Sequence, residues 1–178
     1  MTIYDGAVVM PFLLDGERRE PVIHETVTMM PGSFASGAVE LAAGVTLWPG
    51  ASVRGDSDQL TVGENSNVQD NCSLHADAGS PLRVGSGVSI GHNAVVHGCT
   101  VDDDVLIGMS ATVMNGAVIG TGSLIAAGAL VTEGTVIPPN SLVAGVPAKV
   151  RRETTDEERE AIRRNARIYS ERPAGYQI

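Results

Sequence analysis

From Val101 onward the chain divides without gaps into blocks of six residues: VDDDVL, IGMSAT, VMNGAV, IGTGSL, IAAGAL, VTEGTV, IPPNSL and VAGVPA. Val or Ile opens every block. The same phase runs backwards through Val84, Ile90 and Val96, through Val62, Val68 and Leu74, and through Leu41, Leu47 and Val53. Three spacings break it: nine residues from Val53 to Val62, ten from Leu74 to Val84, and five from Val96 to Val101. A period of six suits neither an amphipathic helix nor the alternation of a lone sheet. It suits a coil of short strands with a turn after each. The opener points inward, a small residue at the fifth place fits the corner, and Gly, Asp or Asn between them supplies turn conformations. Three blocks make one triangular coil, and coils stack at about the 4.8 Å inter-strand spacing, so like places on like faces form ladders.

Composition fits a narrow interior filled by aliphatic side chains, with 43% hydrophobic residues but only 3% aromatic and 21 glycines. The expectation is therefore an all-β chain in one structural domain. A parallel β-helix covers residues 35–150, residues 1–34 with Pro11, Pro21 and Pro31 cap its open end, and residues 151–178 form a C-terminal helix and tail. Thr155 and Glu158 fit a capping box. It opens a helix over 156–170 whose Ile162, Ala166 and Tyr169 share one face, lying on the flank and stopping before Pro173. A formal charge of −9 argues against nucleic acid or an anionic membrane surface as partner. With no secretory pattern at the N-terminus and no long apolar run, the chain is expected to be cytoplasmic. The two cysteines, Cys72 and Cys99, read as small buried residues.

Block arithmetic then assigns faces. If Leu74 opens face A, Val84 opens face B, Ile90 opens face C, and Val96 returns to face A one coil later. His75 and His97 each follow their opener on face A and are ladder neighbours, close enough to share a metal. His92 lies on face C and points away from that pair. Three prisms packed around a threefold axis would bring His92 of one copy to His75 and His97 of the next, so the spacing implies a homotrimer with a metal at each boundary. Arg54 falls on the ladder below His75, and Asp70 falls in the column of His92. Arg54 and Asp70 are then placed to pair across the same boundary, with Asp56 holding the guanidinium. Gln69 is a neutral amide near the metal, suited to hydrogen-bond a bound water or substrate oxygen. Three imidazoles leave a fourth metal position open, the arrangement of a catalytic rather than a structural site. His24 lies apart and reads as a solvated or structural histidine.

These residues carry a resemblance. RGD at 54–56, NVQD at 67–70 with His75, GHNAVVHG at 91–98, GMSATVMNGAVIG at 108–120 and AGVPAKVRRE at 144–153 resemble the gamma-class carbonic anhydrases of the hexapeptide-repeat superfamily. The resemblance implies a left-handed parallel β-helix and a homotrimer binding zinc, or iron or cobalt, through His75, His92 and His97. It implies intersubunit ion pairs from Arg54, Asp56 and Asp70, and metal hydroxide hydrating carbon dioxide to bicarbonate. Gln69 would position the hydroxide, Asn67 would lie near the site, and Tyr169 would reach it from the C-terminal helix. Two departures bear on rate. Ser57 stands where the best-studied members carry a glutamate, and the loop ADAGSPLR at 76–83 offers only Asp77 where they carry an acidic proton-shuttling loop. Slow or buffer-dependent turnover would follow. Two other readings remain at this level. NVQDNCSLH and VMNGAV also resemble hexapeptide proteins of phenylacetate and carnitine metabolism, which implies hydrolysis or transfer of coenzyme A thioesters. A metal that merely ties a structural trimer together is the second.

Overall fold

The structure, a computed structural model, describes residues 2–3 and 5–176. Short parallel strands coil about seven times into a left-handed β-helix followed by one C-terminal helix. Strand register groups the block openers into three columns. Val53, Leu74, Val96, Val113 and Val131 pair on face A. Leu41, Val62, Val84, Val101, Ile119 and Ile137 pair on face B. Leu47, Val68, Ile90, Ile107, Ile125 and Val143 pair on face C. Every one of these openers is buried. The fifth places fill the corners with Val105, Ala111, Ala117, Ser123 and Ala129, all buried as well. Cys72 and Cys99 belong to this core, and burial pushes their thiols up to about 11 and about 12. Both stay protonated and serve as packing.

The irregular spacings have separate explanations. The nine residues from Val53 to Val62 make no loop. Ser52–Val62 is one strand that rounds the corner from face A to face B, paired along its length with Phe34–Leu41. The two backbones approach closely there: a Cβ on Gly37 would lie 2.2 Å from the Gly55 carbonyl oxygen, and one on Gly55 would lie 2.6 Å from that of Ala38. The ten-residue spacing releases a loop just after His75, closed by the Ser80 N–H donating to the Asp77 carbonyl at 2.9 Å. The five-residue spacing is a tight corner in which the Gly98 N–H donates to the His75 carbonyl at 3.0 Å.

At the N-terminus the parallel ladder starts before residue 35, where the cap was expected to end. Thr2–Ile3 pairs with Thr28–Met29, Val8–Met10 with Phe34–Leu41, and Val22–Ile23 with the latter part of the same strand. Ile23, Met29 and Ala35 continue the six-residue phase, but Met and Ala are weak markers of a strand. The hairpin of Phe12–Leu14 with Glu17–Arg19 interrupts the repeat further. Backbone pairing, which is indifferent to side chain, extends the coil through them.

At the other end Ser141–Gly145 pairs antiparallel with Ala148–Glu153. The chain then enters the helix Asp156–Glu171. Its capping box is complete: Thr155 Oγ1 accepts from the Glu158 N–H at 3.2 Å, and the Glu158 carboxylate accepts from the Thr155 N–H at 2.9 Å. The helix lies along face C and buries Ile162 and Ala166. It sets Tyr169 edge-on to Trp48, ring centroids 5.2 Å apart. Among the described residues no helix is long and apolar enough to cross a membrane.

Two outcomes follow. Ile107→Ala, which empties a fully buried site, should cost about 2–5 kcal/mol in chemical denaturation. Val136→Ala, on a side chain 69% exposed, should stay within about 0.5 kcal/mol. The Glu158 carboxyl, hydrogen-bonded by Arg152 and then by the Thr155 N–H, is pulled down from 4.5 to about 2. A depressed folded pKa means that its contribution is complete above the unfolded value and is lost as pH falls through the folded one. Glu158→Gln should therefore melt earlier than the parent at pH 7, with the gap narrowing below about pH 4.5 and closing near pH 2, read by circular dichroism.

Candidate metal centre

The face A ladder stacks Arg54, His75 and His97 in successive rungs, because each follows a buried opener by one place. His75 and His97 lie with ring centroids 5.0 Å apart, and His75 Nδ1 is 2.9 Å from His97 Nε2. The other nitrogen of each ring is already engaged. His75 Nε2 lies 2.7 Å from Asp56 Oδ1, and His97 Nδ1 lies 2.6 Å from Asn115 Oδ1. Both partners are oxygen acceptors, so both of those ring nitrogens donate. Two lone pairs are then left facing one another, an arrangement that a cation between them relieves. Metal–nitrogen bonds of about 2.0–2.1 Å in tetrahedral geometry put ligand nitrogens roughly 3.3 Å apart, so the pair needs to open only by a few tenths of an ångström. A further oxygen is at hand, Asp77 Oδ1 at 3.9 Å from His97 Nε2, and His75, Asp77 and His97 form a cluster with metal-ligand spacing within one chain. The donor set therefore fits a transition metal.

Asp56 is held from two sides. Its Oδ2 is paired with Arg54, which leaves the same strand on the same side two residues earlier, while its Oδ1 meets His75. Gly55 lies between them without a side chain because the neighbouring strand passes against it. Burial pushes the Asp56 carboxyl up, but the hydrogen bonds and charges of Arg54 and His75 outweigh it and hold it below its usual value. Block arithmetic does not reach the contact of Asp56 with His75.

His92 stands on face C with a different set of neighbours. Its Nδ1 lies 2.8 Å from Asp70 Oδ2, one rung below, and its Nε2 lies 3.2 Å from the Tyr169 hydroxyl. The carboxylate can only accept, so Nδ1 donates and the Nε2 lone pair receives the phenol. Within one chain the structure does not bring His92 to the His75–His97 pair, nor Arg54 to Asp70. Gln69 is buried behind His92. Its Oε1 accepts from the His92 backbone N–H at 3.3 Å, and its Nε2 donates to Asn67 Oδ1 at 3.1 Å. Asn67, fully buried, passes the chain on by donating to Ser89 Oγ at 2.9 Å. Beside these residues, between the helix and face C, a half-open cleft of about 300 Å³ is lined by Leu106, Leu124, Met109 and Tyr169. His24 is exposed at the far N-terminal end and bonds to Thr26 at 3.0 Å.

Asn115 and Asp77 were not singled out as site residues from the sequence. Asn115 follows the face A opener Val113 by two places, one rung beyond His97, so the ladder could have flagged it. Asp77 comes from the irregular loop, where block arithmetic has no force.

If the facing nitrogens hold a metal, His75→Ala and His97→Ala should each abolish stoichiometric zinc binding, while His24→Ala should leave it unchanged. Equilibrium dialysis with elemental analysis reads this directly.

Comparison with known proteins gives four findings. The family profile for bacterial transferase hexapeptide (six repeats) matches residues 98–133. A protein of Methanocaldococcus jannaschii named "Probable carbonic anhydrase" is 51% identical over 148 residues, covering 83% of this chain and 93% of that one. "Gamma carbonic anhydrase 2, mitochondrial" of Arabidopsis thaliana is 37% identical, covering 85% of this chain but only 56% of its own length. Among solved structures, a hexapeptide transferase family protein from Anaplasma phagocytophilum superposes with a TM-score of 0.88 at 34% identity, covering 96% of this chain and 98% of that one.

Proposed function

The chain belongs to the gamma-class carbonic anhydrase-like family of hexapeptide-repeat proteins, and we propose that it is a metal-dependent carbonic anhydrase hydrating carbon dioxide to bicarbonate. The observation that carries the reading is the pair of facing nitrogens on His75 and His97, each with its other nitrogen committed to an oxygen acceptor. On this reading the protein is a homotrimer, with His75 and His97 of one copy and His92 of the next as ligands to zinc. Bound there, zinc acts as a Lewis acid that makes hydroxide available near neutral pH.

The chain's own residues supply orientation. Asp56 and Asp70 present His75 Nδ1 and His92 Nε2 as lone pairs, since each carboxylate takes the N–H of the opposite ring nitrogen. His92 must exchange its Tyr169 partner for the neighbouring copy's site, which frees the phenol to donate to a product oxygen. Burial pushes the Tyr169 hydroxyl up, so it remains a donor across the neutral range. Gln69 has one amide N–H tied to Asn67, and its second points a donor at substrate oxygen with little freedom to turn away. Across the boundary Arg54, already braced by Asp56, reaches Asp70 of the next copy.

One observation favours a second reading. The cleft beside His92 and Tyr169 has apolar walls and room for more than carbon dioxide. Together with the likeness to a hexapeptide transferase family protein, it supports hydrolysis or transfer of a coenzyme A thioester at the same centre.

Stopped-flow carbon dioxide hydration decides between them, using protein purified without oxygen and loaded separately with zinc and with iron, and His92→Ala as the blank. Activity above the blank in either form is the expected result. The blank should lose metal while keeping the circular dichroism of the folded prism. A fully metallated protein that hydrates no carbon dioxide but cleaves a short acyl-coenzyme A would replace the first reading by the second.

A further inference from the structure

We propose that Asn115, held in place by Asp77, is the positioning residue that fixes the imidazole of His97 and leaves its Nε2 free to bind the metal. The inference rests on the reading that His75 and His97 hold that metal. It adds a residue pair supplied by the irregular loop and by the next rung of face A.

The orientation of the Asn115 amide follows from its partners. Its Nδ2 donates to Asp77 Oδ2 at 2.8 Å, and its Oδ1 lies 2.6 Å from His97 Nδ1. A carboxylate only accepts, so Asp77 dictates that the amide nitrogen faces the loop and the amide oxygen faces the histidine. His97 Nδ1 must then donate, and the ring cannot offer that nitrogen to a metal. The remaining nitrogen, Nε2, is the one that faces His75. His75 and His92 have carboxylates in this role directly, Asp56 and Asp70. For His97 the carboxylate stands one group further off and acts through a neutral amide.

The corner beneath Asn115 is shaped for this contact. A Cβ on residue 98 would lie 2.2 Å from Asn115 Oδ1, so only Gly98 lets the amide pass over the corner to the histidine beside it. Other corners also carry an asparagine over a glycine: Asn65 over Gly44, Asn71 over Gly50 and Asn140 over Gly122. In those three the asparagine itself takes the left-handed turn position, with φ of 56°, 58° and 57°. Asn115 does not. The left-handed residue of its turn is Gly116 at φ 68°, and the Asn115 side chain turns to His97 and Asp77. A role in turn geometry explains the first three and not the fourth.

The test compares Asn115→Leu, which keeps the size and removes the acceptor, with the exchange Asn115→Asp/Asp77→Asn, which keeps an acceptor oxygen for His97 and a hydrogen bond to the loop, and with His97→Ala. Zinc affinity is measured by competition with a chromogenic chelator, and the visible spectrum of the cobalt-loaded protein reports the ligand field. Loss of a supporting partner of this kind weakens metal binding by about 10–100-fold. That loss, with a changed cobalt spectrum, is expected for Asn115→Leu. The exchange variant should bind within a fewfold of the parent, and Gly98→Ala should resemble Asn115→Leu. If Asn115→Leu binds as the parent does while His97→Ala does not bind, the inference falls and the metal centre stands. Equal weakening in the Leu variant and the exchange variant would also overturn it, since the acceptor oxygen would then be irrelevant. If the parent binds zinc no better than His97→Ala, the metal reading and this inference fall together.

Discussion

The stack of inward aliphatic side chains is the constraint on which everything else depends. From Leu41 onward each rung presents one Val, Leu or Ile per face to the buried core, and backbone bonds tie successive rungs together. Sliding a strand by one residue would carry its opener outward and a polar residue inward, so the register is firmly held. A fixed register inside fixes the columns outside. This is how Arg54, His75 and His97 come to lie one above another, although 21 and 22 residues separate them along the chain.

On that scaffold the polar groups are arranged so that each histidine has one nitrogen spoken for. Asp56, Asp70 and Asn115 each accept from a different imidazole, and each partner is itself tied to Arg54, to the rung geometry or to Asp77. Such chaining matters because an imidazole has two chemically similar nitrogens, and only an outside acceptor decides which one keeps its lone pair. The C-terminal helix contributes in the same manner. Its capping box and the burial of Ile162 and Ala166 bring Tyr169 to His92 across 77 positions of sequence.

The repeat made most of the fold legible. Openers, corner residues and the three faces could be assigned by counting, because a period of six suits stacked short strands with a turn after each, and the helix start could be assigned from its capping box. The pairing before residue 35 escaped because Met29 does not look like a strand opener and a hairpin interrupts the count. The spacing from Val53 to Val62 breaks the period without showing why, and it is a strand that rounds a corner where Gly37 and Gly55 let two backbones meet. At the centre, the ladder of His75 and His97 was countable. The contact of Asp56 with His75 was not, because it depends on a side-chain turn within a continuous strand.

The sequence by itself determined which residues share a column and therefore which side chains can meet at all, since interior packing leaves the register no alternative. Only the tertiary structure decided how the rings turn within those columns. His75 presents Nδ1 and His97 presents Nε2 because Asp56 from a corner strand and Asn115 from a later rung, itself held by Asp77 of the irregular loop, accept from the other nitrogen of each ring. Rotamers answer to such neighbours, and no local pattern encodes where those neighbours lie.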